Sequence, residues 1–329
     1  MSGGYSARSV PVEGIDVVEL RDDAHRMEVR IAPAVGNMAY EILAGGRNIL
    51  WFPDGSPAKL RAQRTFSAIP FLAPWANRID GESYWVNGRQ FRLDAGLGNL
   101  RLDKAGLPIH GLLNFSGAWK LAATEADQGS AWATSKLEFW RHPELMAQFP
   151  FAHTITMTHR LADGEVAVET AIENLSADAM PVAVGYHPYF QLHDAPRDQW
   201  RVHLAARQRL ALNERSIPTG ERQPARYDDP QPLAGMQFDD VFTDLVRDAD
   251  SRARFWFEGR RERVTVTYGP KYKVAVVFAP PGRDFLCFEP MAAATNAFNL
   301  AHAGLDGELE SIPPGGEWRE SFWIKPTGF

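Results

Sequence analysis

The sequence is poor in features that mark several large classes of protein. Cys287 is the only cysteine among 329 residues, so the chain cannot form an internal disulfide or a cysteine-based zinc site. Its 35 Lys and Arg residues are outnumbered by 41 Asp and Glu residues, which excludes the basic excess typical of proteins that bind a nucleic-acid backbone. We therefore expect no nucleic-acid partner.

Long apolar runs are also lacking. No uninterrupted apolar stretch reaches the roughly 18 residues that suggest a membrane-spanning helix. The opening segment, MSGGYSARSV, has neither the charged part nor the apolar run of a signal peptide. With 45% hydrophobic residues, the chain can nevertheless bury a large core. We expect a soluble, cytoplasmic protein without membrane contacts.

Turn signals between alternating apolar and polar residues indicate many short strands. Asn-Gly and Asp-Gly pairs accept the positive φ angles of tight hairpin turns, and Gly-Pro also interrupts a strand. Three hairpins are predicted, joining 84–86 to 90–93 through Asn87-Gly88, 153–158 to 166–170 through Asp163-Gly164, and 264–268 to 274–278 through Gly269-Pro270.

Helical patterns are restricted to the short segments 60–64 and 143–148. The 23 Pro and 27 Gly residues are spread along the chain and do not form a linker. Many short strands with few helices are typical of antiparallel sandwiches. The sequence therefore predicts an all-β fold, a large antiparallel β-sandwich in one domain spanning 1–329.

Polar residues lie among aromatic residues and glycines in four clusters, at 74–79, 108–114, 185–190 and 286–290. They contribute Arg78, His110, His187 and Glu289. A single buried histidine is more often structural than functional, whereas a carboxylate directly after Leu-Cys-Phe is costly to bury without a partner or a task. A fifth cluster, 238–242, contains two adjacent acids, Asp239 and Asp240, that we interpret as a solvated loop pair, of which one could turn inward.

Taken together, these clusters suit an uncharged polyol ligand. Aromatic rings stack on the apolar face of a sugar, and bidentate side chains bind its hydroxyls. A histidine with a glutamate can supply the acid and the base for proton transfer near neutral pH.

The order and spacing of these motifs resemble those of aldose 1-epimerases, the galactose mutarotase family. The resemblance rests on Ala76-Asn77-Arg78-Ile79, His110-Gly111-Leu112-Leu113-Asn114, His187-Pro188-Tyr189-Phe190 and Phe288-Glu289-Pro290, with Pro314-Gly315-Gly316-Glu317 similar to the family's closing turn. It extends from about Tyr40 to the C-terminus. It implies a supersandwich fold with an open sugar cleft across one sheet.

The resemblance also implies roles for single residues. Glu289 matches the general base and His187 the general acid, while Asn77, Arg78 and His110 match substrate-binding positions. Asp239 matches a substrate-orienting acid, but Asp240 follows it where the family often has histidine, so either acid could face the sugar. The chain also differs from galactose mutarotases at Tyr186 and Gln191, which leaves the preferred sugar open.

The implied reaction interconverts the α and β anomers of an aldose without a cofactor, metal or covalent intermediate. Glu289 would start as a carboxylate and His187 as an imidazolium, with a nearby carboxylate raising the pKa of that histidine.

Three alternatives stay open at this point. A hexose-6-phosphate 1-epimerase of the same fold would need additional cations, for which Arg61, Arg64 and Lys104 are candidates. A non-catalytic sugar-binding module would keep the aromatic residues but would not need both His187 and Glu289. A metal site could use His110, His187, Asp239 and Glu289. The protein could be a monomer or a homodimer.

Overall fold

A computed structural model describes residues 4–305 and 307–329, and most of its regular structure is β-strand. The predicted domain 1–329 and the opening segment MSGGYSARSV both include residues outside that part. Within it, no helix combines the length and the apolar character needed to cross a membrane.

Twenty-six strands follow one another along the described part of the chain. The first third contains β1 (Tyr5–Val12), β2 (Ile15–Asp22), β3 (Met27–Ala32), β4 (Met38–Ala44), β5 (Arg47–Asn48), β6 (Phe71–Leu72), β7 (Ser83–Val86) and β8 (Arg89–Arg92). The middle third contains β9 (Lys120–Ala126), β10 (Ala131–Glu138), β11 (His153–Ala162), β12 (Glu165–Asn174), β13 (Met180–Val182), β14 (Gly185–Tyr186), β15 (Tyr189–Phe190), β16 (Arg201–His203) and β17 (Ala206–Leu212). The last third contains β18 (Pro218–Pro224), β19 (Gln231–Pro232), β20 (Phe238–Leu245), β21 (Ala253–Glu258), β22 (Arg263–Tyr268), β23 (Val274–Ala279), β24 (Leu286–Met291), β25 (Glu310–Ile312) and β26 (Glu317–Thr327).

The helices are short and lie in the connections between strands. They are α1 (Pro57–Gln63), α2 (Pro143–Met146) and α3 (Ala297–His302), with 3₁₀ turns at Ala95–Leu97, Phe139–Arg141 and Arg197–Gln199. The first two overlap the predicted helical segments 60–64 and 143–148.

Two large antiparallel sheets pack face to face. One has the strand order β19-β16-β21-β22-β26-β12-β11-β10-β9, and the other runs β18-β17-β20-β23-β24-β14-β6 with β15 also paired to β24. Aromatic side chains meet between them: the Phe288 ring of the second sheet lies 5.7 Å from Phe255 and 6.0 Å from Phe257 of the first. The predicted all-β antiparallel sandwich is confirmed.

The nine-stranded sheet is the more regular of the two. In β11 and β12, most residues of one face are buried in the core, while many of those between them are partly or fully exposed. These strands form the predicted hairpin, and Asp163 and Gly164 in its turn have φ angles of 50° and 67°. The turn is tied to the five-stranded sheet β1–β5, because the Gly164 N–H donates to Asp22 Oδ2 at 3.0 Å.

The other two predicted hairpins have opposite outcomes. Strands β7 and β8 pair around Asn87 and Gly88, whose φ angles of 52° and 71° suit a type I′ turn. The hairpin predicted around Gly269-Pro270 is wrong, because β22 pairs within the nine-stranded sheet and β23 within the eight-stranded sheet. The Gly269 turn carries the chain from one layer of the sandwich to the other.

The centre of the eight-stranded sheet positions the candidate site. Asp239 in β20 is paired with Phe278 in β23, and Val276 in β23 is paired with Glu289 in β24. Because side chains alternate along a strand, Asp239 and Glu289 lie on the same face of the sheet. The interpretation of Asp239 and Asp240 as a solvated loop pair is therefore wrong, since both belong to a paired strand.

Candidate active site

An open cleft of about 560 Å³ lies on the outer face of the eight-stranded sheet. Its base is formed by β20, β23 and β24, and its walls by the loops around residues 66, 77, 101 and 215. All six predicted site residues line it: Asn77, Arg78, His110, His187, Asp239 and Glu289. The structure thus brings these six side chains to one cleft.

Glu289 lies at the base of this cleft on β24 and is only 1% exposed. Its Oε1 is 3.2 Å from Nε2 of His187, while its Oε2 is buried without a hydrogen-bond partner in the described part of the chain. Burial raises the pKa of Glu289 well above its ordinary value, and the negative charge of Asp239 raises it further. Arg78 opposes this shift.

His187 follows β14 and is fixed on several sides. Its backbone N–H donates to the Pro70 carbonyl at 3.1 Å, and its ring stacks on Tyr189 with 4.6 Å between centroids. The preceding strand lies so close to β24 that a Cβ on Gly185 would be 2.9 Å from the Pro290 carbonyl oxygen. The absence of a side chain at Gly185 thus lets His187 approach Glu289.

The ionisation of this pair differs from the sequence prediction. Burial lowers the pKa of His187 to about 3, and the positive charge of Arg101 also lowers it. The prediction that a nearby carboxylate raises the pKa of this histidine is therefore wrong. Burial also raises the pKa of Glu289, so the surroundings of the pair favour the neutral forms of both groups.

His110 faces His187 from a strained turn. Its φ is 65°, unusual for a residue with a side chain, and Gly111 follows with φ 66°. A Cβ on Gly111 would lie 2.2 Å from the Ala73 carbonyl oxygen, which requires glycine there. The His110 ring stacks on Phe66 at 4.8 Å, and its buried Nδ1 has no partner among the described residues. Burial lowers the pKa of His110 well below its ordinary value.

Arg78 is held in place by two neighbours. Its Nε donates to Asp103 Oδ2 at 2.7 Å, and its Nη1 donates to Asn77 Oδ1 at 3.1 Å. Asn77 adopts a left-handed φ of 56°, and its carbonyl accepts the His110 N–H at 2.9 Å. Asn77 thus links the two loops that carry Arg78 and His110. The second terminal nitrogen of Arg78, Nη2, bonds to nothing within 4–305 and 307–329.

The two adjacent acids on β20 point to opposite faces. Asp239 lines the cleft, whereas Asp240 accepts a hydrogen bond from Arg209 Nη1 at 3.0 Å outside it. The alternative that either acid could face a ligand is thereby resolved in favour of Asp239. Partial burial by the cleft wall raises the pKa of Asp239, although its side chain still reaches solvent.

Several cleft residues were not predicted as site residues. Phe66, Phe278 and Arg101 line the walls, and the Arg101 guanidinium lies 4.5 Å from the centre of the Phe66 ring. Sequence alone gave no signal for Arg101, which follows the loop 94–100 without a motif. Of the cations considered for a phosphate, Lys104 lines the cleft, whereas Arg61 and Arg64 do not.

Two departures from the family pattern lie outside the cleft. Tyr186 is buried in the core against Phe322 and bonds to the Thr170 hydroxyl. Gln191 donates through Nε2 to the carbonyls of Asn48 and Leu50. Neither residue lines the cleft, so neither can contact a ligand directly.

The four residues considered as metal ligands share the cleft without forming a ligand set. No group of three or more His, Cys, Asp or Glu side chains in the described ranges is arranged to hold a metal ion. The cleft brings the Glu289–His187 pair together with Arg78, His110 and Asp239.

The fold of this chain is similar to the folds of known proteins. A galactose mutarotase-like protein from Clostridium acetobutylicum has a TM-score of 0.86 at 19% identity, with 99% of each chain covered. Galactose 1-epimerase from Lactobacillus acidophilus has a TM-score of 0.75 at 15% identity, with 99% of this chain and 100% of that chain covered. These two share the fold.

Sequence comparisons are more specific. The uncharacterized protein YihR of Escherichia coli K12 is 25% identical over 241 residues, which are 71% of this chain and 72% of YihR. A model of the family described as aldose 1-epimerase matches residues 16–325. This match covers nearly the whole chain, and the chain is therefore a member of the aldose 1-epimerase family.

Proposed function

We propose that this protein is a mutarotase, which interconverts the α and β anomers of a hexose by opening and reclosing the sugar ring. The observation that carries the proposal is the buried pair of Glu289 and His187, whose facing atoms are 3.2 Å apart at the base of the cleft. Each side chain has a second polar atom without a partner in the described part, Oε2 of Glu289 and Nδ1 of His187. Buried polar atoms of this kind are costly unless a ligand binds them.

The pair can hold one proton in two ways. Glu289 can carry it and leave both groups neutral, or His187 can carry it and make an ion pair. Both forms have the same total charge, so moving the proton across 3.2 Å changes the roles of acid and base without exchange with solvent. Burial by the protein favours the neutral form, and hydroxyls of a bound sugar would stabilise the ion pair by hydrogen bonding.

Ring opening then follows from the ion pair. The Glu289 carboxylate removes the proton of the C1 hydroxyl, the C1–O5 bond breaks with its electron pair going to O5, and His187 delivers its proton to O5. The product is the open-chain aldehyde. Rotation about C1–C2 and the reverse proton transfers close the ring on the other face. Proton transfer by positioned groups contributes about 10²–10⁴-fold in rate.

The other cleft residues fit the task of holding a neutral polyol. The Nη2 of Arg78, which has no partner among the described residues, can donate to a sugar hydroxyl because Asp103 and Asn77 already hold the rest of the guanidinium. Asp239 also lines the cleft and can accept a hydrogen bond from a sugar hydroxyl. Val276 and Phe278 form an apolar strip against which the carbon face of the ring can pack.

A sugar-binding module without catalysis is the competing class. Such a module gains nothing from burying a carboxyl whose pKa is raised beside a histidine whose pKa is lowered. Perturbed pairs of this kind are typical of acid–base sites. The coupled pair therefore favours an isomerase.

Polarimetry tests the proposal directly. Freshly dissolved α-anomers of glucose, galactose and other aldoses are followed with and without protein at pH 7. We expect the approach to anomeric equilibrium to accelerate in proportion to protein concentration for at least one sugar. Sugar binding by calorimetry without any such acceleration would instead support the binding module. We further propose a single catalytic domain acting in the cytoplasm, as a monomer or a homodimer.

A further inference from the structure

The segment 77–80 carries Arg78 in the cleft wall and is bonded to the connection that follows β24, the strand of Glu289. Asn296 in that connection makes the bonds with both its backbone and its side chain. Its N–H donates to the Arg78 carbonyl at 2.9 Å, and its Oδ1 accepts the Asp80 N–H, also at 2.9 Å. One residue thus ties two positions of this segment to the strand that carries the proposed base.

The conformation of Asn296 shows that its side chain is directed to the segment 77–80 and not to the helix that follows. Its φ is 61°, in the left-handed region that asparagine adopts more easily than most residues with a side chain. It is buried and immediately precedes α3, yet its side chain accepts no backbone N–H of that helix, as an asparagine at this position commonly does. Instead, its Oδ1 accepts the Asp80 N–H and the side-chain Nδ2 of Asn299 at 2.8 Å. Helix capping therefore does not explain this side chain.

Asp80 is held at its other end by the opposite part of the cleft wall. Its Oδ1 pairs with Arg215 Nη2 at 2.8 Å, and Arg215 lies on the turn between β17 and β18 that lines the cleft. Asn296 itself is not among the residues that line the cleft. It therefore acts on the cleft wall from behind, without contact to a ligand.

Resting on the proposed function, we propose that Asn296 is a positioning residue for sugar binding, which fixes Arg78 relative to the strand of Glu289 so that one sugar can contact both. Glu289 lies on a regular strand of the sheet, whereas Arg78 lies on a loop. A loop needs ties of this kind to hold a binding group within about 0.5 Å of its productive position.

Asn296→Gly tests the side chain alone. Glycine keeps the left-handed φ and the backbone bond to Arg78, but it removes the oxygen that accepts the Asp80 N–H. We expect KM to rise about 3- to 10-fold, with kcat within about threefold of native, because the geometry of binding is what changes. Asn296→Asp keeps an accepting oxygen and also adopts a left-handed φ, so its KM should stay within about twofold of native.

A double variant separates positioning from a general loss of structure. If Asn296 acts through Arg78, the substitution Asn296→Gly should raise KM less in an Arg78→Lys background than in the native protein. A purely structural role would give the same ratio of KM values in both backgrounds. That result, or a native KM in Asn296→Gly, overturns the inference.

Asn37 provides a matched control outside the cleft. It is also buried and has a left-handed φ of 51°, but its Nδ2 donates to Met157 Sδ at 3.3 Å, on β11 of the nine-stranded sheet. Asn37→Gly therefore removes a similar side chain away from the site. Urea denaturation measures the stability of both glycine variants, and KM should rise only in Asn296→Gly. Equal rises in KM would assign the effect to general loosening of the fold and overturn the inference.

Failure of the proposed function gives a different result. If the native protein accelerates mutarotation of no sugar, it is not a mutarotase, and calorimetry with glucose and galactose then decides the inference. Weaker binding of either sugar by Asn296→Gly than by the native protein and Asn37→Gly would support the positioning role. Equal binding by the three proteins, or no binding by any of them, would overturn it.

Discussion

The two large sheets bury glutamates in different ways. Glu320 on β26 of the nine-stranded sheet accepts backbone N–H groups with both oxygens, from Lys271 at 2.5 Å and from Ser321 at 2.7 Å. Glu289 on β24 of the eight-stranded sheet has one oxygen near His187 and the other without a partner in the described part. The first carboxylate is satisfied by the fold, and the second keeps one oxygen that the described part of the fold does not satisfy.

Buried histidines repeat the contrast. His153 on β11 places Nδ1 2.7 Å from the Phe151 carbonyl and stacks on Phe139, so the fold alone accounts for its position. His110 and His187 in the cleft each have a buried Nδ1 without a partner in the described ranges. The difference teaches that burial by itself does not indicate function. Unsatisfied polar atoms gathered at one place do, because a stable fold rarely leaves them.

The largest expected effect is on the rate of catalysis, and it distinguishes Glu289 from Glu320. Glu289→Gln keeps the size of the side chain but removes the basic oxygen, so the rate of mutarotation should fall by about 10²–10⁴. Its free energy of unfolding at pH 7 should be unchanged or higher, because a poorly satisfied buried carboxyl is removed. Polarimetry and urea denaturation measure the two quantities.

The role of Glu289 also predicts how the effects of substituting Glu289 and His187 combine. His187→Asn should resemble Glu289→Gln, and the double variant should be little slower than either single variant, since acid and base act in one step. Native mutarotation by Glu289→Gln would show that this residue is not the base. Additive losses in the double variant would show that the two groups act in separate steps.

A smaller effect concerns the histidines of the nine-stranded sheet. Burial lowers the pKa of His153 and of His159 to about 4. The unfolded chain, with an ordinary pKa near ~6.5, therefore takes up protons first as the pH falls. Stability is complete above that value and decreases between about pH 6.5 and 4, by roughly 3 kcal/mol for each histidine.

Urea denaturation at pH 7.5 and pH 4.5 measures this loss. His159→Met removes one titrating group. Between the two pH values, its free energy of unfolding should therefore fall by roughly 3 kcal/mol less than that of the native protein. Its mutarotation rate at pH 7 should equal that of the native protein, because His159 is remote from the cleft. An identical pH dependence in the variant would mean that other groups account for acid sensitivity.

Glu320→Gln is the matched control for Glu289→Gln and has a smaller effect. An amide NH₂ would face a backbone N–H of Lys271 or Ser321, which leaves two donors without an acceptor. The free energy of unfolding should therefore fall by about 1–3 kcal/mol. The rate of mutarotation should stay the same. Stability equal to that of the native protein would contradict the claim that the fold depends on this satisfied carboxylate.

Sequence patterns predict the regular part of the molecule well. The alternation in β11 and β12 and the Asp163-Gly164 turn predict a hairpin that the structure contains, because one face must meet the core and the other water. The motifs around Arg78, His110, His187 and Glu289 predict residues that line one cleft. Local patterns are sufficient where a residue's environment is set by its own strand or turn.

Properties that depend on distant segments are not predictable in this way. Gly269-Pro270 signals a turn but not the sheet that the next strand joins. The adjacent acids Asp239 and Asp240 suggest a loop in the sequence. In the structure they belong to a strand, whose alternation places Asp239 in the cleft and Asp240 beside Arg209. The lowered pKa of His187 arises from burial by the whole cleft, and no neighbour in sequence indicates it.

The smallest expected effect concerns Arg78, which is intermediate between the two kinds of buried polar group. Two of its nitrogens are satisfied by Asp103 and Asn77, and its Nη2 has no partner in the part of the chain that the structure describes. In Arg78→Lys a single nitrogen cannot bind all three acceptors. We expect KM to rise about tenfold, with kcat within about threefold of native, because the interaction lost is one of binding.

A matched control lies on the other face of the cleft strand β20. Arg209 pairs with Asp240 at 3.0 Å outside the cleft, so Arg209→Lys changes an arginine–aspartate pair of similar length without touching a ligand. Its KM should equal that of the native protein. A fall in kcat of Arg78→Lys as large as that of Glu289→Gln would assign Arg78 to the proton-transfer step. Equal KM values for the native protein, Arg78→Lys and Arg209→Lys would show that Arg78 does not bind the substrate. Its guanidinium would then have a structural role only.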